Sequence, residues 1–307
     1  MFKLLVTGGT GLVGSSIPTV HDHHSNIKLS SKDGNLVDKE ETNKLFSLHK
    51  PTHVVHTAAR VGGVGGNMSA KGAYYYDNIM INTNVLEACR IYEVTKLVSL
   101  LSTCVFPNDI EYPLTEDKFH LGEPHESNYG YSYAKRMIDV QSKVYREQYG
   151  VNFVNVIPTN IYGPHDNFDT KNGHVLPSLI HKCYLAKKNN TDLVIWGSGN
   201  PLREFIYSKD IGKLIIWALE HYNEPEPIIF SPSEEISIKD LVDLIVKAVG
   251  FTGKVIFDTT KPEGQFRKPS DNSKLRSYLP DFEFTPIETG IKETVEWFET
   301  NFEHARK

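Results

Sequence analysis

The sequence predicts an α/β protein built on a doubly wound parallel sheet, with a smaller, discontinuous α/β lobe supplied by its later half. Short apolar runs alternate with longer amphipathic stretches through the first half, the rhythm of βαβ units. A glycine string follows the first apolar run directly. Beyond residue 165 the pattern becomes more mixed, with short strands separated by turn-rich pieces.

Taken in order, strands are expected at residues 3–7, 27–29, 53–57, 97–101 and 153–157, and their continuous Val/Leu/Ile character fits strands covered on both faces. After the second strand, Asp38 is placed to cap a helix, with Glu41 three residues on as in a capping box, and helix formers run to His49. A helix over 131–149 carries Tyr133, Met137, Val140 and Val144 at three- and four-residue spacing. That stripe is buried either within the monomer or in a subunit interface with the helix near 79–92, which would make the protein a homodimer. Further strands are expected at 192–196, 203–207 and 255–257. A closing helix over 287–302 has Ile287, Ile291, Val295, Phe298 and Phe302 on one side. Residues 1–165 are thus expected to form a dinucleotide-binding domain and 166–307 mainly a substrate lobe, with about 205–230 returning to the first domain. No repeat or low-complexity linker separates the two.

Composition sets the limits of function. The chain has 307 residues, 39% hydrophobic and 23% charged, enough to bury a large core without disulfides. A net charge of -5 argues against a nucleic-acid binder. Three widely spaced cysteines, Cys89, Cys104 and Cys183, suit neither a disulfide framework nor a paired metal site and point to a reducing compartment. Residues 2–7 already read as a core strand, which leaves no signal peptide, and no apolar run approaches the ~20 residues of a membrane span. The expectation is a cytoplasmic protein without a metal.

The glycine string Gly8-Gly9-Thr10-Gly11-Leu12-Val13-Gly14 places glycines at 8, 11 and 14 between a strand and a helix. A tight turn, close backbone approach and a helix N-terminus suit a pyrophosphate, so the sheet is expected to be of the Rossmann type. Three-residue glycine spacing is the form used by short-chain dehydrogenases. The second strand ends in Leu29-Ser30-Ser31-Lys32, hydroxyls and a cation where an NAD enzyme places an acid. That suits the 2′-phosphate of NADP(H), although Asp33 follows and keeps NAD in play. Asp38 is a candidate acceptor for the adenine amino group as well as a cap.

Tyr131 and Lys135 stand four residues apart, on one helical face. A phenol, which ordinarily titrates near pH ~10, exchanges protons poorly at neutral pH unless a cation stabilises its phenolate. Lys135 supplies that field and can hold a nicotinamide ribose. Ser102 stands just past the fourth strand, at the carboxyl edge where open α/β sheets bind ligands, and can hydrogen-bond the same substrate carbonyl. Glycine loop, serine and Tyr/Lys pair occur in the order that carbonyl reduction requires.

With these motifs, and with Thr57-Ala58-Ala59-Arg60-Val61-Gly62-Gly63, Leu101-Ser102-Thr103-Cys104-Val105-Phe106-Pro107, Ile157-Pro158-Thr159-Asn160-Ile161-Tyr162-Gly163-Pro164-His165-Asp166-Asn167-Phe168 and Gly173-His174-Val175-Leu176-Pro177, the chain resembles the extended short-chain dehydrogenase family from end to end. Within it, the chain is closely similar to the branch that epimerises GDP-4-keto-6-deoxy-D-mannose at C3 and C5 and then reduces C4 with NADPH. The resemblance implies that Cys104 and His174 are the epimerising acid/base pair. A free thiol and a free imidazole titrate at roughly 8.5 and 6.5, which already bracket neutrality. It also implies that Ala59 and Pro158, Thr159, Asn160 and Ile161 line the cofactor, and that Lys182, Trp196, Arg203, Glu263 and Lys268, with His174, meet the nucleotide sugar. Glu263 departs from the aspartate frequent in the family. Two alternatives remain: a 4-epimerase or 4,6-dehydratase of the same fold, and a binding protein that senses NADP without chemistry. Dehydratases of this group place an acidic pair where this chain has Thr103-Cys104, and sensors usually lose the tyrosine or lysine.

Overall fold

The computed structural model describes residues 2–19, 26–261 and 265–307. In chain order the elements are β1 (Leu4–Thr7), α1 (Leu12–Ser16), β2 (Asn26–Lys28), α2 (Lys39–His49), β3 (His53–His56), α3 (Val64–Ser69), α4 (Lys71–Ile91), β4 (Lys96–Leu100), α5 (Tyr129–Tyr149), β5 (Phe153–Pro158), β6 (Asn160–Tyr162), α6 (Val175–Asn189), β7 (Leu193–Trp196), β8 (Leu202–Tyr207), α7 (Ser208–His221), β9 (Ile228–Phe230), β10 (Glu235–Ser237), α8 (Ile238–Val249), β11 (Val255–Asp258), α9 (Ser273–Tyr278) and α10 (Ile287–Thr300). Six strands form one sheet in the order β2-β1-β3-β4-β5-β9, and every pairing in it is parallel. The fold class is therefore the doubly wound α/β fold expected from the alternating runs.

Two apolar cores cover the sheet, as the unbroken Val/Leu/Ile strands require. On one side, Leu5, Val54, Leu97 and Phe153 pack with Phe46 of α2, Val85 of α4 and Ile138 of α5. On the other, Leu4, Val55, Val98 and Val154 pack with Ile211, Leu214 and Ile215 of α7, and with Leu275 of α9. A third core belongs to the later half, where α6, α8 and α10 pack around β7 and β8 through Ile180, Leu241, Ile245, Val295 and Phe298. Its strands form a three-stranded sheet, β10-β8-β6, and a two-stranded one, β11-β7. Chain segments cross between the two bodies: β6 starts two residues after β5 ends at Pro158 and pairs with β8, and β9 rejoins the large sheet beside β5.

Local signals behave as their chemistry dictates, with two differences. Asp38 caps α2 by accepting the Glu41 N–H at 2.8 Å, but Glu41 does not close a capping box. Its carboxylate takes the Asn35 N–H at 2.7 Å, because the turn before the helix brings that donor nearer. The Tyr133/Met137/Val140/Val144 stripe is not buried in the monomer: Val140 is 40% and Val144 47% exposed. The face of α5 that turns inward carries Ser132, Lys135, Arg136, Asp139 and Ser142 instead, together with Ile138. These polar groups are sustained by partners such as Leu100 O for Lys135 and Val105 O for Arg136. Of the two readings of the stripe, packing within the monomer does not hold for Val140 and Val144, because the inward face of this helix is largely polar.

Candidate active site

The carboxyl ends of β1, β3, β4 and β5 open onto one cavity of about 1120 Å³ whose far wall is built by α6, β7 and β8. At the β1 end, Gly8 adopts φ +67°, and a Cβ there would stand 2.9 Å from the Ala58 backbone. Gly11, with Thr10, Leu12 and Val13, lines the cavity, and a Cβ on Gly11 would meet only Gly8 O at 3.4 Å. Gly9 and Gly14 face the scaffold instead. A Cβ would come 2.6 Å from Lys28 Cα at the first and 2.3 Å from Gly8 O at the second. Gly14→Ala is accordingly expected to displace the loop and cost about 1–3 kcal/mol of stability. Fluorescence titration should show weakened NADPH binding, whereas Gly72→Ala, where nothing lies within 4 Å of the added Cβ, leaves it unchanged.

Beyond β2, Ser30 and Ser31 stand on the cavity wall, and Lys32 lies exposed on the same turn but off the wall. Asp33 is spent on that turn, its Oδ2 accepting Ser30 N–H at 2.7 Å and Ser30 O–H at 2.8 Å. The Ser30 backbone bond first, then its hydroxyl, holds the Asp33 carboxyl below its usual range. Asp38 is also off the wall, while Leu36 and Val37 before it are on it.

The reacting end brings Ser102, Cys104, Tyr131, Lys135 and His174 to one cavity. Ser102 is positioned by the turn after β4, where its Oγ accepts the Cys104 N–H at 3.3 Å. Tyr131 and Lys135 project from the first turns of α5. Lys135 is buried, and its Nζ donates to Leu100 O at 2.8 Å. Burial brings its ammonium down to about 8, so it remains charged at neutral pH. Burial, and secondarily the charge of Cys104, pushes the Tyr131 phenol up. It therefore holds its proton, the state a proton donor needs. At His174, which stands exposed on the open cavity wall, desolvation by the surrounding protein first and the Arg306 cation second lower the imidazole. Behind the site, buried His56 bridges Thr7 Oγ1 (2.8 Å) and Asn82 Oδ1 (3.1 Å), and Asn82 donates to Ala134 O at 3.1 Å. That chain ties the glycine-loop strand to the helix bearing Tyr131 and Lys135.

A family model, the NAD dependent epimerase/dehydratase family, matches residues 4–231. The chain belongs to this family. Among family relatives, a GDP-L-fucose synthase of Dictyostelium discoideum is 52% identical, covering 99% of this chain and 97% of that protein. A probable GDP-L-fucose synthase of Drosophila melanogaster is 44% identical over the full length of both. The solved structure of a GDP-L-fucose synthetase from Naegleria fowleri bound to NADP superposes with a TM-score of 0.94 at 46% identity, covering 100% of this chain and 95% of that one.

In this family member, Ala59, Pro158, Thr159, Asn160 and Ile161 lie on the wall between the glycine loop and Lys135. Lys182, Trp196 and Arg203 line the far end. Trp196 is 59% exposed, with Lys182 Nζ 5.1 Å and Lys261 Nζ 5.9 Å from its ring centroid. Burial lowers both Lys182 and Arg203. Lys268 is off the wall and half-buried, and burial lowers its ammonium. Glu263 lies outside the described residues. Two further residues stand on the wall: Asp166, in sequence only a part of the 157–168 motif and with no role of its own, and Arg306, which nothing near it in sequence marks as part of a site.

Proposed function

We infer that this chain carries GDP-L-fucose synthase activity: it epimerises GDP-4-keto-6-deoxy-D-mannose at C3 and C5 and then reduces the C4 ketone to give GDP-L-fucose. The observation that carries this reading is the presence of Cys104 and His174 in the same cavity as Ser102, Tyr131 and Lys135. A plain reductase needs only the last three.

NADP(H) is the cofactor, and the residues present fit it. Gly11 leaves room for a pyrophosphate where a side chain would intrude, and the Thr159 hydroxyl is buried on the wall without a partner among the described residues. Ser30, Ser31 and Lys32 favour a 2′-phosphate, since Asp33 is occupied by Ser30. When bound, the dihydronicotinamide supplies hydride to C4. Tyr131 donates its proton to the C4 oxygen, Ser102 orients that oxygen, and Lys135 stabilises the phenolate left on Tyr131.

C3 and C5 both flank the C4 ketone, so removing either proton gives an enolate whose oxygen is the one Ser102 and Tyr131 address. A thiol and a neutral imidazole together hold one transferable proton and one vacant acceptor, which an epimerising pair requires. Lys182 and Arg203 suit the diphosphate and Trp196 offers a stacking face, while Lys268 borders the Cys104 end. Asp38 keeps its place as cap of α2, next to the wall residues Leu36 and Val37.

The chain divides into a cofactor domain, about 1–165 with 205–230 returning, and a substrate lobe over the rest of 166–307. We further propose a homodimer joined through α4 and α5, supported by the exposed Val140 and Val144 on α5 and Tyr76 on α4. Val140→Glu/Val144→Glu is expected to elute as a monomer in size-exclusion chromatography. Free thiols at Cys89 and Cys183, and the absence of any described helix long and apolar enough to cross a membrane, agree with work in the cytoplasm.

The deciding assay mixes protein, NADPH and GDP-4-keto-6-deoxy-D-mannose. Loss of absorbance at the dihydronicotinamide band with GDP-L-fucose as product is expected. Turnover without NADPH consumption would instead support a 4-epimerase, and binding without turnover a sensor.

A further inference from the structure

The chain after β3 and the loop before α6 meet in a tight backbone contact at the cavity. Beyond Ala59 and Arg60 the chain turns at Gly62 and Gly63 into α3, and there Gly63 donates its N–H to Asn172 O at 2.6 Å. A Cβ on Gly63 would stand 2.6 Å from Gly173 O, so this approach admits no side chain. The turn is fixed from within by Asn67, 6% exposed, whose Nδ2 donates to Gly62 O at 2.8 Å and to Gly63 O at 3.2 Å. On the other side of the contact, Asp169 gathers the loop. Its Oδ1 accepts the Lys171 and Asn172 N–H groups, each at 2.7 Å, and its backbone oxygen accepts from Gly173 N–H at 3.0 Å and the Ser178 hydroxyl at 2.6 Å. His174 follows directly, its backbone oxygen accepting the Ser178 N–H at 3.1 Å. The backbone of His174 is therefore held by α6 after it and by the Gly63 contact before it. Gly63, Asn67, Gly173 and His174 all stand on the cavity wall. The cofactor side of the same segment is held separately: buried Asn78 accepts the Arg60 N–H at 3.0 Å and donates to Arg60 O at 2.9 Å.

We propose that Asn67 is a positioning residue for the epimerising half of the reaction: through the Gly62-Gly63 turn and the bond from Gly63 to Asn172 it fixes the backbone from which His174 projects. The inference rests on the reading of His174 as one member of the epimerising pair. Proton transfer at C3 and C5 needs the imidazole at a set distance and angle from the reacting carbon, and a misplacement of about 1 Å costs on the order of 10²-fold. The groups that reduce C4 hang from other elements, Ser102 from the turn after β4 and Tyr131 and Lys135 from α5. With Arg60 clamped by Asn78, loss of the Asn67 bonds is felt at His174 and not at the cofactor or at Tyr131.

The test compares three readouts in Asn67→Leu: solvent-deuterium incorporation at C3 and C5, NADPH-dependent reduction of a sugar supplied already epimerised, and NADPH affinity by fluorescence titration. Incorporation is expected to fall about 10–10²-fold while the other two stay within about twofold of native. Gly63→Ala, which forces the same contact apart from its other partner, is expected to give the same split, and it carries the test if Asn67→Leu does not fold. Native incorporation in either folded variant overturns the proposal. So does equal loss of incorporation and reduction, the mark of a residue that only supports the fold, or a loss of incorporation matched by weakened NADPH binding. Incorporation that survives His174→Asn at the native rate sinks the assignment of His174 itself, a failure distinct from that of Asn67.

Discussion

Tyr131→Phe is expected to lower kcat for NADPH oxidation by about 10²–10⁴-fold while leaving deuterium exchange at C3 and C5 within a fewfold of native. The substitution removes one hydroxyl and keeps the ring, so the fold of α5 and the placement of Lys135 survive. Reduction at C4 creates an alkoxide that must take a proton, and the half-buried Tyr131 phenol, pushed up by desolvation, is a protonated donor on the wall at that end. Epimerisation needs only partial stabilisation of an enolate oxygen, which Ser102 continues to supply. Stopped-flow absorbance together with mass spectrometry of the keto sugar separates the two steps. Equal loss of both would show that Tyr131 serves the enolate as much as the alkoxide.

Cys104→Ser should do the reverse and abolish exchange at C3 and C5, by at least ~10²-fold. A free thiol titrates near ~8.5 and so trades protons close to neutrality, and a hydroxyl of nearly the same shape does not. Because Cys104 donates its backbone N–H to Ser102 Oγ, the exchange of sulfur for oxygen leaves that turn intact. The variant should still bind NADPH with native affinity and still reduce a sugar supplied already epimerised. Normal exchange in Cys104→Ser would remove the thiol from the acid/base pair. The contrast between Cys104→Ser and Tyr131→Phe is the clearest measure of a site with two separable functions.

Much of this architecture was legible because its signals are local. Strands read as unbroken apolar runs, Asp38 as a cap, and Gly8, Gly11 and Gly14 as a turn between a strand and a helix, since each signal lies in residues close together in the chain. Tyr131 and Lys135 were legible for the same reason, four residues apart on one helix. Ser102 followed from its position at the end of a strand. The Tyr133 stripe stayed ambiguous because periodicity identifies an apolar face without saying what covers it, and in the monomer nothing among the described residues buries Val140 or Val144. Asp33 was ambiguous in sequence, and only its two bonds to Ser30 show that its carboxylate is engaged within its own turn.

The sequence by itself determined the parallel α/β fold, the dinucleotide crevice and the chemistry available to the site, because these rest on backbone sterics, hydrophobic period and residue type. Tertiary structure decided which of those groups share a cavity and what charge each carries there. It brought Cys104 from the end of β4, His174 from the start of α6 and Arg306 from beyond α10 to one wall. It also decided that Lys135 stays charged while buried and Tyr131 stays protonated. Desolvation and the fields of distant residues act through space, and adjacency along the chain does not record them.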